Sequence, residues 1–177
     1  MAAQEIAAAM LRVETVLRRR PEAGVHEDAP AVASWQGGTR VLSRHANGAA
    51  LPTDMPGELG GSGDQVTPGW LFRAGLASCL ATCIAMRAAA SGIELESLVV
   101  IAASRSDTRG LLGMADASGD PVCAAPIEVE LSARISAPGT SPDRLRELVE
   151  ESHRCSPVPT ALRNAVPVTL RIELGAG

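Results

Sequence analysis

The feature that most constrains this chain is residues 67–92, TPGWLFRAGLASCLATCIAMRAAASG. Between Arg73 and Arg87 the stretch carries no charge and only small or apolar residues. Its ends are marked for a helix: Thr67 is a capping residue, Pro68 fits a first turn and Gly92 fits the stop. A helix that is apolar on nearly every side has to be covered on nearly every side. The pattern therefore predicts a buried central helix from Trp70 to Ala90, with the other elements laid around it. Arg73 and Arg87 cut the uninterrupted run well below the roughly 20 residues that a bilayer span requires. The helix also holds two of the four cysteines, Cys79 and Cys83, one turn apart on one face.

Composition bounds the rest. With 177 residues, 46% of them hydrophobic, the chain suits one domain with a substantial core. Only Trp35, Trp70 and Phe72 are aromatic, so that core is built from Ala, Val, Leu and Ile. A net charge of −4 argues against nucleic acid and against an acidic membrane surface as partners. Every basic residue is arginine, which excludes lysine Schiff-base chemistry and a lysine phosphate clamp. The cysteines show no paired spacing, and the first twenty residues are charged throughout (Glu5, Arg12, Glu14, Arg18 to Arg20). Both features point to the cytoplasm, where a disulfide is transient and catalytic.

Residues 2–20 read as a helix with Ile6, Met10, Val13 and Leu17 on one stripe, ended by Pro21. Residues 1–28 are accordingly an N-terminal helical extension, and residues 29–177 the main domain. Short strands are expected at 31–35 and 39–43 around Gly37-Gly38, with a third strand after the Asn47-Gly48 hairpin turn. Residues 54–66, with four glycines, form a long loop. A strand follows at 95–106, a loop at 107–124, and an alternating strand at 127–131. Ser141 and Pro142 open a helix that runs to about His153. CSPVPTALRN is a proline-broken turn of helix, and Val166 to Leu174 closes the chain as a strand. The order β-β-β-α-β-β-α-β, with hairpins, indicates an α+β fold with antiparallel pairing.

Two segments carry a resemblance. GELGGSGDQVTPGWLFRAGLASCLATC is similar to the stretch around the first redox cysteine of the osmotically inducible/organic hydroperoxide resistance family (OsmC/Ohr). HRCSPVPTAL, followed by VPVTLRIEL, resembles that family's second cysteine and closing strand. The likeness spans roughly residues 31–174. It implies an antiparallel sheet wrapped around a long buried helix, in an intertwined homodimer with active sites at the subunit interface. It also implies a thiol peroxidase for organic hydroperoxides in oxidative-stress defence, with no bound cofactor and an external dithiol reductant, often a lipoyl group. Cys79 matches the attacking cysteine and Cys155 the one that resolves its sulfenic acid. Arg40, after the Gly37-Gly38 turn, matches the arginine that stabilises the thiolate, with Arg44 as the fallback.

Elementary chemistry runs alongside. A thiol on a buried helix is inert unless a cation stabilises its thiolate, and arginine also donates to a peroxide oxygen in fixed geometry. Two departures stand out. The glutamate that organic hydroperoxide resistance proteins carry near the helix start is Gly69 here, leaving Glu58 as a candidate to support the arginine. The second cysteine is followed by Ser-Pro where Cys-Pro is usual. Cys83 reads as packing, since cysteines one turn apart suit a disulfide poorly. Cys123 falls in a loop, His153 suits a helix C-terminus, and His26 and His45 read as solvated. Two other functions stay open: a relative that binds a small apolar ligand without catalysis, and a metal site of Cys79, Cys83, His153 and Cys155.

Overall fold

A computed structural model describes residues 3–175. Helix α1 (Ala3–Arg19) opens the chain, and a 3-10 turn at Pro21–Gly24 follows. Strands β1 (Val32–Trp35), β2 (Val41–Arg44) and β3 (Ala50–Thr53) form an antiparallel sheet in that order. Trp35 lies opposite Val41 and Arg44 opposite Ala50. Gly48 takes a φ of 92° in the second hairpin, a left-handed turn of the kind Asn-Gly favours. The loop after β3 folds tightly on itself. A Cβ at Gly61 would sit 1.8 Å from the Met55 carbonyl oxygen, so only glycine fits there.

Helix α2 (Pro68–Ala90) starts as its sequence predicts, with the Thr67 side chain accepting from the Trp70 N–H and Pro68 in the first turn. It stops at Ser91, and Gly92 turns away with φ 67°. Next come β4 (Ser97–Arg105), the short α3 (Thr108–Leu111), β5 (Glu128–Ser136), α4 (Pro142–Arg154) and α5 (Pro157–Arg163). β4 and β5 pair antiparallel as a separate two-stranded sheet, with Leu98 opposite Ile135 and Ala102 opposite Leu131. The core lies where α2 crosses this sheet and α4. Leu80, Ile84, Ala88, Ile93, Ala137 and Leu148 are buried there, packed by Val100, Ala133 and Ile135 from the sheet. Burying a side chain the size of Leu148 contributes about 1.5–3 kcal/mol.

Several expectations from sequence need correction. α2 is not covered on every side: Ser78, Thr82, Met86 and Ala90 form an exposed stripe, and Trp70 is 47% exposed. Among the described residues its cover comes chiefly from α1, β4, α4 and α5, with β5 side chains behind β4. Residues 166–174 form no strand, and Val168 and Leu174 are 96% and 91% exposed. The alternation is strand-like, but among the described residues no strand lies alongside to complete a ladder. The loop at 107–124 contains α3 and an antiparallel bridge between Ala115 and Pro121. β5 runs past residue 131 to Ser136. The segment read as a proline-broken turn is the regular short helix α5, with Pro157 and Pro159 in its first turn, where the missing N–H groups have no intrahelical partner anyway.

By length and composition α2 is apolar enough to cross a membrane. Its Leu76, Leu80 and Ile84 are nonetheless buried against other parts of the chain. Its two arginines are engaged as well: Arg73 donates to the Ser104 hydroxyl, and Arg87 to the Cys155 sulfur.

Candidate active site

α2 carries Cys79 at its middle, half-buried, and the junction of α4 and α5 lies against it. α4 ends at Cys155, whose N–H closes on the carbonyls of Glu151 and Ser152. Ser156 then precedes the first turn of α5. Its hydroxyl lies 3.2 Å from the Cys79 sulfur, and the residue is 0% exposed. The Val158 N–H, one of the unpaired donors of a helix start, points at the same sulfur at 3.5 Å. Cys79 thus meets one settled donor, the Val158 N–H, and one hydroxyl that can donate or accept, both from the segment that follows Cys155.

Cys155 itself faces outward and is exposed. Arg87, two turns along α2 from Cys79, donates through Nη2 to the Cys155 sulfur at 3.2 Å. The same guanidinium reaches the Glu151 carboxylate of α4 through Nη1 at 3.6 Å. Cys83 sits among these groups. Burial pushes its thiol up from the ordinary range, a hydrogen bond with Ser156 partly opposes the shift, and the sulfurs of Cys79 and Cys155 reinforce it. Cys83 is therefore held as a neutral thiol. Three cysteines share one site, while Cys123 is exposed in the loop before β5.

Arg40 belongs to a second cluster. Its Nη2 donates to Asp64 Oδ1 at 2.6 Å, to the Ser62 hydroxyl at 2.8 Å and to Asp54 Oδ2 at 3.4 Å. Asp54 is buried and accepts from the Thr39 hydroxyl, the Ser62 hydroxyl and the N–H groups of Met55 and Ser62. Those bonds, the Ser62 hydroxyl foremost, hold its carboxyl far below the usual range. The carboxylates on Arg40 are therefore Asp54 and Asp64. Glu58 is exposed in a 3-10 turn and makes no hydrogen bond among the described residues. Arg44, exposed at the end of β2, makes no ion pair among them. Among the described residues, the Ser156 hydroxyl, the Val158 N–H and Cys83 meet the Cys79 sulfur, and Arg40 is engaged elsewhere.

The sequence reading missed Ser156, Arg87, Asp54 and Asp64. Ser156 had a signal, because it is the residue inserted between the cysteine and the proline. Arg87 had one too, as the lone charge at the end of an apolar helix. Asp54 and Asp64 flank the glycine-rich loop, with nothing local to mark their aim. Among the described residues, no group of three or more His, Cys, Asp or Glu side chains is arranged to hold a metal ion. His153 lines a separate apolar cavity of about 480 Å³ with Phe72, Leu76 and Pro159.

Comparison with known proteins fits this layout. The family model described as OsmC-like protein matches residues 61–171, which include α2 with both its cysteines and the Cys155 junction. The chain belongs to the OsmC-like family. Solved structures with the OsmC-like fold agree. An organic hydroperoxide resistance protein from Elizabethkingia anophelis, crystallised with thiocyanate, is 25% identical, with a TM-score of 0.58 over 78% of this chain and 90% of its own. An OsmC-like protein from Mycoplasma pneumoniae is 16% identical, with a TM-score of 0.65 over 78% of this chain and 89% of its own. An organic hydroperoxide resistance protein from Legionella pneumophila is 24% identical, with a TM-score of 0.53 over 78% and 92%. The latter two matches speak for the OsmC-like fold alone. No curated protein sequence matches the chain.

Proposed function

We propose that this chain is a cysteine-based thiol peroxidase that reduces organic hydroperoxides by a two-cysteine mechanism, in defence against oxidative stress. The observation that carries the reading is the convergence on Cys79 of the Ser156 hydroxyl and the Val158 N–H, with Cys155 adjoining in the chain. Membership of the OsmC-like family and the likeness to the Elizabethkingia anophelis resistance protein support it. The Cys79 thiolate attacks the outer peroxide oxygen. The O–O bond breaks, sulfur loses two electrons to become a sulfenic acid, and the alkoxide takes a proton and leaves as the alcohol. Cys155 then attacks that sulfur, an S–S bond forms and water departs. An external dithiol, such as a lipoyl group, returns two electrons and two protons. The residues around Cys79 on α2 are small and apolar, which suits an organic peroxide, and a separate apolar cavity opens beside Leu76 and Phe72.

The working unit in this reading is an intertwined homodimer in the cytoplasm. The exposed stripe of α2 and the apolar alternation at 166–174 both call for cover that one chain lacks. Arg40 then serves the partner subunit's Cys79 across the interface. A second reading, binding of an apolar ligand without turnover, is favoured by the same cavity together with Gly69. One experiment separates them: consumption of cumene hydroperoxide with dihydrolipoamide, by wild type and Cys79→Ser, with peptide mapping after stoichiometric oxidation. Turnover lost in Cys79→Ser, with a Cys79–Cys155 disulfide, is expected. No turnover, a Cys79–Cys83 link, or over-oxidised Cys79 beside free Cys155 would overturn the mechanism.

A further inference from the structure

The inserted Ser156 has a geometric consequence. The residue that directly precedes Pro157 is the one that meets the Cys79 sulfur, and here it is a hydroxyl, fully buried. Cys155 is set back by one residue, to the end of α4 and the exposed rim. There its sulfur is met by Arg87 Nη2 at 3.2 Å. We infer that Arg87 is the catalytic residue of the resolving step: it holds the Cys155 sulfur as the nucleophile that closes the disulfide, with Glu151 as its positioning residue.

This deepens the peroxidase reading and rests on it. An arginine hydrogen bond to sulfur is charge-assisted and directional, so it fixes the place of the sulfur. The guanidinium is drawn toward α4, with Glu151 3.6 Å from Nη1 as an ion pair while Nη2 addresses the sulfur. The charged and titratable groups about Cys155 are Arg87, Cys83 and Cys79 from α2, and Glu151 with the adjoining His153 and Arg154 from α4. Cys83, though near, is held neutral by burial and is the poorer nucleophile. In the step itself the Cys155 thiolate attacks the Cys79 sulfenic sulfur, the S–O bond breaks, and the departing hydroxide takes a proton to become water. Arg87 keeps Glu151 but gives up the free Cys155 sulfur as the bridge forms, and regains it when the dithiol reopens the bridge.

The test has two readouts on the full-length protein. One is peptide-resolved alkylation of each cysteine by iodoacetamide at neutral pH, with no peroxide present. The other is the rate of disulfide closure after one equivalent of cumene hydroperoxide, followed beside sulfenic acid formation on Cys79. Arg87→Met is expected to slow Cys155 alkylation and disulfide closure by about tenfold, the scale of one charge-assisted hydrogen bond. It should also raise sulfinic acid on Cys79. Arg87→Lys should restore most of both rates, which repair of packing alone would not do. Arg87→Gln serves as the uncharged variant if the methionine form fails to fold. Wild-type alkylation and closure rates in the uncharged variant would overturn the inference, and so would an equal slowing of both oxidation steps. If wild type forms no sulfenic acid at all, the peroxidase reading falls, and the alkylation comparison still decides whether Arg87 acts on Cys155.

Discussion

Replacing Ser156 by Ala tests whether the contact at Cys79 contributes to reactivity. The hydroxyl is 3.2 Å from the sulfur and wholly buried, so no water takes its place when it is removed. The Val158 N–H remains at 3.5 Å, a longer and weaker donor. Hydrogen bonds to a charged group contribute about 1.5–3 kcal/mol, and each 1.36 kcal/mol on a barrier is about a factor of ten. Attack by Cys79 on a hydroperoxide should therefore slow roughly tenfold to a hundredfold in Ser156→Ala. The assay mixes protein with cumene hydroperoxide, traps the sulfenic acid with dimedone at timed intervals, and quantifies the Cys79 peptide. Circular dichroism melts confirm that the fold survives, as loss of one hydroxyl against a packed helix should allow. Trapping at the wild-type rate, or faster, would refute the claim that Ser156 stabilises the reacting sulfur.

Three further outcomes follow from the geometry. Asp54→Asn should destabilise the protein at neutral pH. Because the folded carboxyl is held far below its unfolded range near 4, the wild-type advantage is full above about pH 4 and fades as acid titrates the folded carboxylate. Urea unfolding across pH reads this, and a gap that stays constant into strong acid would contradict it. Leu148→Ala should cost about 2–5 kcal/mol in the same unfolding assay, since Leu148 is buried where α4 meets α2 and the β4–β5 sheet; a loss under about 1 kcal/mol would remove it from the packing argument. Gly69→Glu should fold normally, because the nearest atoms to a Cβ there are 3.8 Å away. It should not speed peroxide consumption, since Asp54 and Asp64 already hold Arg40, and a rise of several-fold would show that they do not act as that support.

Much of the fold was legible because it is written locally. Thr67, Pro68 and Gly92 mark the ends of α2, Ser141 and Pro142 open α4, and Asn47-Gly48 turns the second hairpin. The α2 pattern also announced a helix whose Leu80, Ile84 and Ala88 form the core, and Cys79 and Cys155 each contact part of the α2, α4 and α5 meeting point. The remainder depended on distances that no local pattern encodes. That Ser156 and not Cys155 meets Cys79 turns on one residue of register at the α4–α5 junction. That Asp54 and Asp64 bind Arg40 depends on a loop closed so tightly that Gly61 admits no side chain. Glu58 lies in the same loop and was the nearer guess by sequence, yet its 3-10 turn leaves it exposed.

The two places where sequence and single chain disagree most have one physical cause. Strand patterns and helix patterns report how much cover an element needs, not which chain provides it. Val166 to Leu174 alternates as a strand does, and a strand without a neighbour leaves a row of backbone donors and acceptors for another to bond. α2 is apolar all round, and in one chain its Ser78, Thr82, Met86 and Ala90 stripe remains open. A second copy answers both needs together, since a two-fold arrangement gives each subunit whatever it lends. The same exchange would bring Arg40, already fixed by Asp54 and Asp64, to a cysteine that its own chain does not offer it. The proposed homodimer therefore ties the stability of this fold to its chemistry: the surfaces left open on α2 flank the helix that carries Cys79, so covering them also closes the site.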